Sequence, residues 1–292
     1  MELLVTLRKI EHLEKILPFT DGVICGRYFT TGFDFTIDEL RQINKYCKTF
    51  GKKFYIVMDN FINEDEKMLM YDYLDLLDTL NVDGIYFHDL GVYDAARSYG
   101  LSDKLIYDGK TMMCNSLDPA FMLDKGIDSV VIARELTLKE VKEIVKNNAG
   151  KIDMQIFGHL RLSYSRRRFL SNYFSQINRT YDYFGKQSLS LVEEQRDYRM
   201  PIMEDGGGTF IYSDFIFTMF AQISELRPYL KRGIIDTLFI DDENKICQVC
   251  RDYKRINEYN QQFIENSFYH NYPDNYSSAY LFQKTNISKI DE

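Results

Sequence analysis

The sequence predicts an α/β fold: a (β/α)8 TIM-type barrel with a β-rich insertion between strands seven and eight and a C-terminal extension. Three observations carry this. Residues 21–26, 83–88, 128–133 and 236–241 share one build, an Asp and a small residue leading into an apolar run. Such runs suit strands buried on both faces, as in a parallel sheet. Further strands lie between them, most entered through Lys, and helical patterns on short connections separate strand from strand.

The elements follow in order. A first strand at 3–7 is followed by a short helix at 11–17 and a strand at 22–26. The helix at 36–50 starts from Thr36 as N-cap, has Glu39 at the capping-box position and stops before Gly51. After the strand at 53–58, the 63–80 segment carries apolar residues at 69, 70, 73, 74, 77 and 80, one helical face. Strands at 84–88, 104–108 and 129–133 alternate with helices at 92–99, 118–124 and 137–147. The first two of these helices stop at Gly100 and Gly126, and the third opens on Thr137 with Glu140 three residues on. Strand seven covers 152–157. Regularity then breaks between about 161 and 215, where alternation around Gly-rich turns reads as β-hairpins. Helix is expected again from Ser213 to about Lys231, strand eight at 236–240 and a last helix over 246–259. The barrel then spans 1–258, with the 161–215 insertion at its mouth. Residues 259–292, rich in Tyr, Asn and Ser, read as an extended segment docking on the barrel with a frayed end. An open doubly wound sheet is the competing architecture, but no GxGxxG follows the first strand.

Composition narrows the function. Net charge is −8, which argues against broad electrostatic binding to nucleic acid and leaves room for one local basic patch. The cysteines are odd in number (Cys25, Cys47, Cys114, Cys247, Cys250), and the N-terminal stretch has no cleavage-site pattern, so a cytoplasmic location is expected. No apolar run approaches the roughly 18–20 residues of a membrane helix, so no membrane partner is expected.

In such a barrel the strand C-termini gather Arg27, Asp59, His88, Asp89, Asp108, Lys110, Arg134, Glu135, His159, Arg161 and Asp241 over one mouth. Arg134 and Glu135 close the pure apolar run 130–133. The segment 157–174, FGHLRLSYSRRRFLSNYF, packs one His, four Arg and two Tyr directly after a strand. Its guanidinium forks suit carboxylate or phosphate. Arg134, Glu135, His159 and Tyr164 are the candidate catalytic residues. Arg161, Arg166, Arg167, Arg168, Lys110 and His88 are the candidate anion-binding residues. Arg134 and Arg161 leave neighbouring strands about 4.8 Å apart and are expected to converge on one ligand, with Glu135 and His159 orienting them. The competing readings are a solvated loop whose arginines pair with surface acids, and a polar rim. Cys247 and Cys250 form a lone CxxC with no second pair, so no metal site is expected. There is no HExxH, GxSxG or P-loop.

Three stretches in order, 131–141 (VIARELTLKEV), 157–174 and 198–213 (YRMPIMEDGGGTFIYS), resemble the collagenase-like peptidases of family U32. Members of that family carry A-R-E-L-(S/T), Y-S-G-x-C-x-x-S-N-Y and P-(V/I)-x-E-D-x-x-G-T-Y-(I/L). FHDLG at 87–91, YDGKTMMCNS at 107–116 and YLFQKT at 280–285 are partial matches. The resemblance implies a TIM-like barrel with a small β-rich part. It implies either proteolysis or a place in prephenate-dependent 5-hydroxylation of the wobble uridine of tRNA. It also implies an iron–sulfur cluster at cysteines around the second motif. Here positions 161 and 168 are Arg and no Cys lies between 114 and 247, so no cofactor is expected. The chain resembles the short, cysteine-less branch, whose members look like partners of a longer cysteine-bearing paralogue. The implied function is therefore a tRNA hydroxylation component acting with such a paralogue, on tRNA or a small carboxylate. A collagenase-like peptidase and a catalytically degenerate binding subunit are the alternatives.

Overall fold

The structure, a computed structural model, describes residues 1–192, 194 and 198–283. Seven strands follow one another in parallel: β1 (Glu2–Thr6), β2 (Gly22–Cys25), β3 (Lys53–Met58), β4 (Gly84–Phe87), β5 (Leu105–Asp108), β6 (Ser129–Val131) and β7 (Ile152–Ser165). The insertion adds β8 (Leu189–Val192), β9 (Arg199–Asp205) and β10 (Gly208–Thr218). Then β11 (Leu230–Ile235) pairs in parallel with both β1 and β7 and closes an eight-stranded barrel. A short β12 (Tyr276–Ser277) adds to β10.

Capping fixes where helices begin. Thr36 and Glu39 form a reciprocal capping box, as do Thr137 and Glu140. The helices bury one face against the outside of the strands. Leu40, Ile43, Val141 and Ile144, for example, all lie in the main core. Leu4, Ile24, Tyr55, Tyr86, Ile106, Val131 and Ile234 fill the barrel itself. Beside them sits a buried ion pair, Arg232 Nη1 to Asp153 Oδ2 at 3.0 Å. Ser129 and Tyr86 complete its hydrogen bonds.

That pair explains a correction. Strand eight lies at Leu230–Ile235 and not at 236–240, which turns back on itself through Ile240 N–H to Thr237 O. Lys231 and Arg232 make the true strand look like surface, yet Arg232 points inward because Asp153 neutralises it. Nor is 213–231 helical: β10 runs to Thr218 and only Ile223–Leu226 forms a helix.

The insertion also differs from expectation. β7 does not stop at 157 but continues to Ser165, where it pairs antiparallel with β10. Gly158 permits this exit. Its φ is 118°, and a Cβ there would lie 2.2 Å from the Asp236 carbonyl oxygen. A helix at Phe169–Gln176 accompanies the hairpins. The extension is not simply extended, since Gln261–Asn271 is a helix that buries Ile264 and Phe268. Residues 284–292, including the last two of YLFQKT, lie outside the described residues. Among the described residues no helix is long and apolar enough to cross a membrane.

Candidate functional site

The C-terminal ends of the barrel strands carry a buried charge cluster. Asp59 follows β3, Asp108 ends β5, Arg134 follows β6, and Arg161 lies on the part of β7 that rises above the barrel. Lys110 sits two residues past Asp108 in a left-handed turn, φ 58°, closed by its own N–H on Asp108 Oδ1 at 3.1 Å. Its ammonium bridges the two carboxylates, 2.8 Å from Asp59 and 2.8 Å from Asp108. Arg161 reaches Asp59 at 3.2 Å and Arg134 reaches Asp108 at 3.2 Å. The Arg134 Nε donates to Gln155 at 2.9 Å. Three cations thus share two carboxylates, leaving one positive charge in excess.

The electrostatics follow from this packing. Burial works to raise Asp59 and Asp108, but the cations overcome it and hold both carboxyls below their ordinary range. Burial and Arg161 pull the Lys110 pKa down, while Asp108 and Asp59 oppose them. Beneath the cluster is a cavity of about 90 Å³, lined by Asp59, Asp108, Arg134, Arg161, His159 and Tyr212 together with apolar side chains such as Ile24, Val57 and Ile234. On its far wall Arg8 pairs with Asp236 at 2.8 Å and donates to the Thr31 and Gly32 carbonyls.

The other expected residues fall around this centre in different ways. His88 Nδ1 faces the Asp108 carbonyl at 2.9 Å, and His159 Nδ1 faces that of Ser213 at 2.7 Å. A carbonyl only accepts, so each Nδ1 carries the proton. Burial lowers the pKa of both imidazoles. Glu135 is exposed and stays out of the cluster. Asp108, Gln155 and Asp59 orient the two arginines, and the expected roles of Glu135 and His159 in doing so are corrected. The expected convergence of Arg134 and Arg161 on one ligand is likewise modified, because each guanidinium already has a resident carboxylate.

Tyr164 donates to the Gly207 carbonyl at 3.0 Å and stacks on Phe210 and Phe61. Arg166 and Arg168 stand apart from the cluster over a larger groove of about 730 Å³. Arg166 donates to the Asn63 side chain, and Arg168 lies over the Phe184 ring. Arg167 is exposed. Asp89 is structural, capping the Leu90–Ser98 helix, and Asp241 pairs with Lys9 at the surface.

Sequence reasoning missed Arg8, Gln155, Asp205, Tyr212 and Asp236 as parts of the mouth. Asp205 accepts from the Gly207 N–H at 2.9 Å on the floor of the groove, and burial pushes its carboxyl up to about 6. The Glu-Asp pair of the third motif was the available signal. Its first member, Glu204, is fully buried and takes hydrogen bonds from Leu170 N–H, Ser171 N–H and Thr209 Oγ1. It therefore pins the start of the Phe169–Gln176 helix.

An iron–sulfur cluster does not fit here. Arg161 and Arg168 occupy the positions thiolates would need, and Arg161 is committed to Asp59. Burial raises the Cys25, Cys47 and Cys250 thiols, Cys47 to about 12, away from the thiolate a cluster requires. Among the described residues no group of three or more His, Cys, Asp or Glu is placed to hold a metal.

Known proteins resemble the chain throughout. tRNA hydroxylation protein P2 of Bacillus subtilis is 28% identical over 196 residues, 66% of this chain and 63% of the relative. tRNA hydroxylation protein P1 of the same organism is 28% identical over 140 residues, 48% of this chain and 33% of the relative. An uncharacterized protease of Methanocaldococcus jannaschii is 26% identical over 283 residues, 92% of this chain and 67% of the relative. The chain thus spans less than two thirds of the two Bacillus subtilis relatives' length. A solved U32 peptidase structure shares the fold, at TM-score 0.50 and 13% identity over 81% of this chain and 92% of that one. Residues 27–284 match peptidase family U32, and the chain belongs to that family.

Proposed function

We propose that the protein is a cytoplasmic component of prephenate-dependent tRNA wobble-uridine hydroxylation and acts with a cysteine-bearing member of its family. The charge cluster carries this reading. A mouth with three cations on two carboxylates beside a small cavity suits a carboxylate group of a small acid. Arg134 and Arg161 would hold that anion through charge-assisted bonds of roughly 1.5–3 kcal/mol each. The names of two relatives from one organism, tRNA hydroxylation proteins P1 and P2, support both the RNA and the idea of paired paralogues. The cysteines required for a cluster would come from the partner, since this mouth does not provide them.

The test is mass spectrometry of the wobble uridine from a deletion strain. Hydroxylated uridine should fall, return with the wild-type gene, and fail to return with Arg161→Ala. An unchanged level in the deletion strain would overturn the proposal. So would cleavage of denatured collagen by the pure protein, abolished by a single point mutation.

A further inference from the structure

We propose that the groove between the insertion and the barrel rim holds a single-stranded RNA nucleotide, with phosphate on Arg166 and Arg168 and base against Phe61. This rests on the tRNA reading above and deepens it by naming where the RNA strand lies. Four observations carry it.

The first is charge. The chain carries −8 overall, yet Arg166 and Arg168 meet no carboxylate among the described residues. Their partners are a neutral amide oxygen and an aromatic ring. Two guanidinium forks on the rim of one groove, with no carboxylate bound to either among the described residues, fit a phosphodiester.

The second is the aromatic shelf. Phe61 is 41% exposed, and one side of its ring rests on Tyr164, which rests on Phe210. Centroid separations are 6.1 and 4.8 Å, at 25° and 21° between planes. The Tyr164 hydroxyl is tied to Gly207, so the stack is rigid before any ligand arrives. A preordered aromatic face is what an unpaired base stacks on.

The third is size. A volume of about 730 Å³ lies within the range of ligand pockets and has room for a nucleotide. The fourth is placement. The groove and the small anion cavity share Thr6, Arg8, Thr30 and Phe33 in their walls. A base seated on Phe61 would therefore stand next to the charge cluster. Asn60 and Asp205, on the groove floor, offer amide and carboxyl groups to its edge.

The experiment is fluorescence anisotropy with a labelled U-rich single-stranded RNA nonamer, run over a salt series. Arg166→Ala/Arg168→Ala should reduce the salt slope by about 1.4, the contribution of two phosphates. Phe61→Ala should weaken binding roughly five- to hundredfold at every salt concentration. All three residues are exposed, and an unchanged melting curve verifies that the variants fold. The assignment is overturned if the wild type does not bind the oligonucleotide or if the variants bind as it does. It is also overturned if polyglutamate binds equally well with the same dependence on these residues, which would mark an acidic polypeptide as the ligand. The wobble-uridine measurement separates the two claims. If the deletion strain keeps its modification while the variants lose RNA binding, the hydroxylation reading fails and the groove stands. If the strain loses it and Arg166→Ala/Arg168→Ala restores it fully, the groove fails and the reading stands.

Discussion

Arg161, on the rising half of β7, places its guanidinium 3.2 Å from the carboxylate of Asp59, a residue 102 positions earlier in the chain. This contact ties the insertion to the barrel mouth. Asp59 serves two cations, so among the described residues removing it leaves Lys110 with one carboxylate and Arg161 with none. Asp59→Ala should cost about 3 kcal/mol in urea unfolding, as for other broken, largely buried pairs. Adding Arg161→Met should recover part of that loss, because no lone guanidinium then stays buried. An additive double variant would show that the two side chains are not coupled.

Asp205 and the cluster carboxylates respond to pH with opposite sign. Asp59 and Asp108 are depressed below 3.8, so their contribution is present above that value and is lost as pH falls through their folded values. Burial lowers His88 and His159 below 6.5, so their protonation in the unfolded chain also favours unfolding as pH drops below 6.5. Asp205 is raised from 3.8 to about 6, and its contribution is therefore fully present below 3.8 and lost as pH rises through 6. Asp205→Asn should stabilise the protein by about 1–2 kcal/mol at slightly alkaline pH, after discounting for partial exposure. That gain should vanish once the pH is below 3.8. Urea unfolding at several pH values reads both.

The seven barrel strands before the insertion were legible because each is a compact apolar run between helical periods. The eighth was not, because Arg232 is acceptable inside the barrel only through Asp153, and pairing across 79 residues is invisible in a local pattern. For the same reason the strand termini could be listed as a mouth while their partners could not be assigned. Glu135 follows Arg134 directly, yet the chain turns it outward to solvent. Tyr164 and the three consecutive arginines looked like a loop, since the strand that carries the Tyr is only half covered and lacks a buried period.

Iron should be absent from the isolated protein even after anaerobic reconstitution with iron and sulfide. The cysteines are scattered, and buried Cys25 and Cys250 are held as thiols. Metal analysis should find no stoichiometric iron, and a single cysteine restored by Arg168→Cys should not change this, since one thiolate holds no cluster. Stoichiometric iron in the wild type would mean ligands that the described residues do not bring together.

Glu204 is the residue on which the shape of the insertion depends. Its carboxylate is fully buried and accepts from Leu170 N–H at 2.8 Å, Ser171 N–H at 3.2 Å and Thr209 Oγ1 at 2.9 Å, with the Ser171 hydroxyl as a further donor. The two N–H groups belong to the first turn of the Phe169–Gln176 helix, where an anion is favoured. The bond from Thr209 joins that turn to β10, and the Thr209 hydroxyl also meets the Arg167 carbonyl. Glu204 thereby sets the backbone that carries Arg166, Arg167 and Arg168. Glu204→Ala leaves several buried donors without an acceptor and should cost about 3 kcal/mol. Glu204→Gln keeps one acceptor oxygen but brings an amide among donors, and should cost about half as much. Limited proteolysis discriminates this positioning role from a general loss of stability. Cleavage should begin between residues 166 and 192 in Glu204→Ala while the barrel fragment resists, and Glu204→Gln should lie between that variant and wild type. Uniform digestion of barrel and insertion together would show that Glu204 stabilises the whole molecule and does not specifically hold the arginine turn.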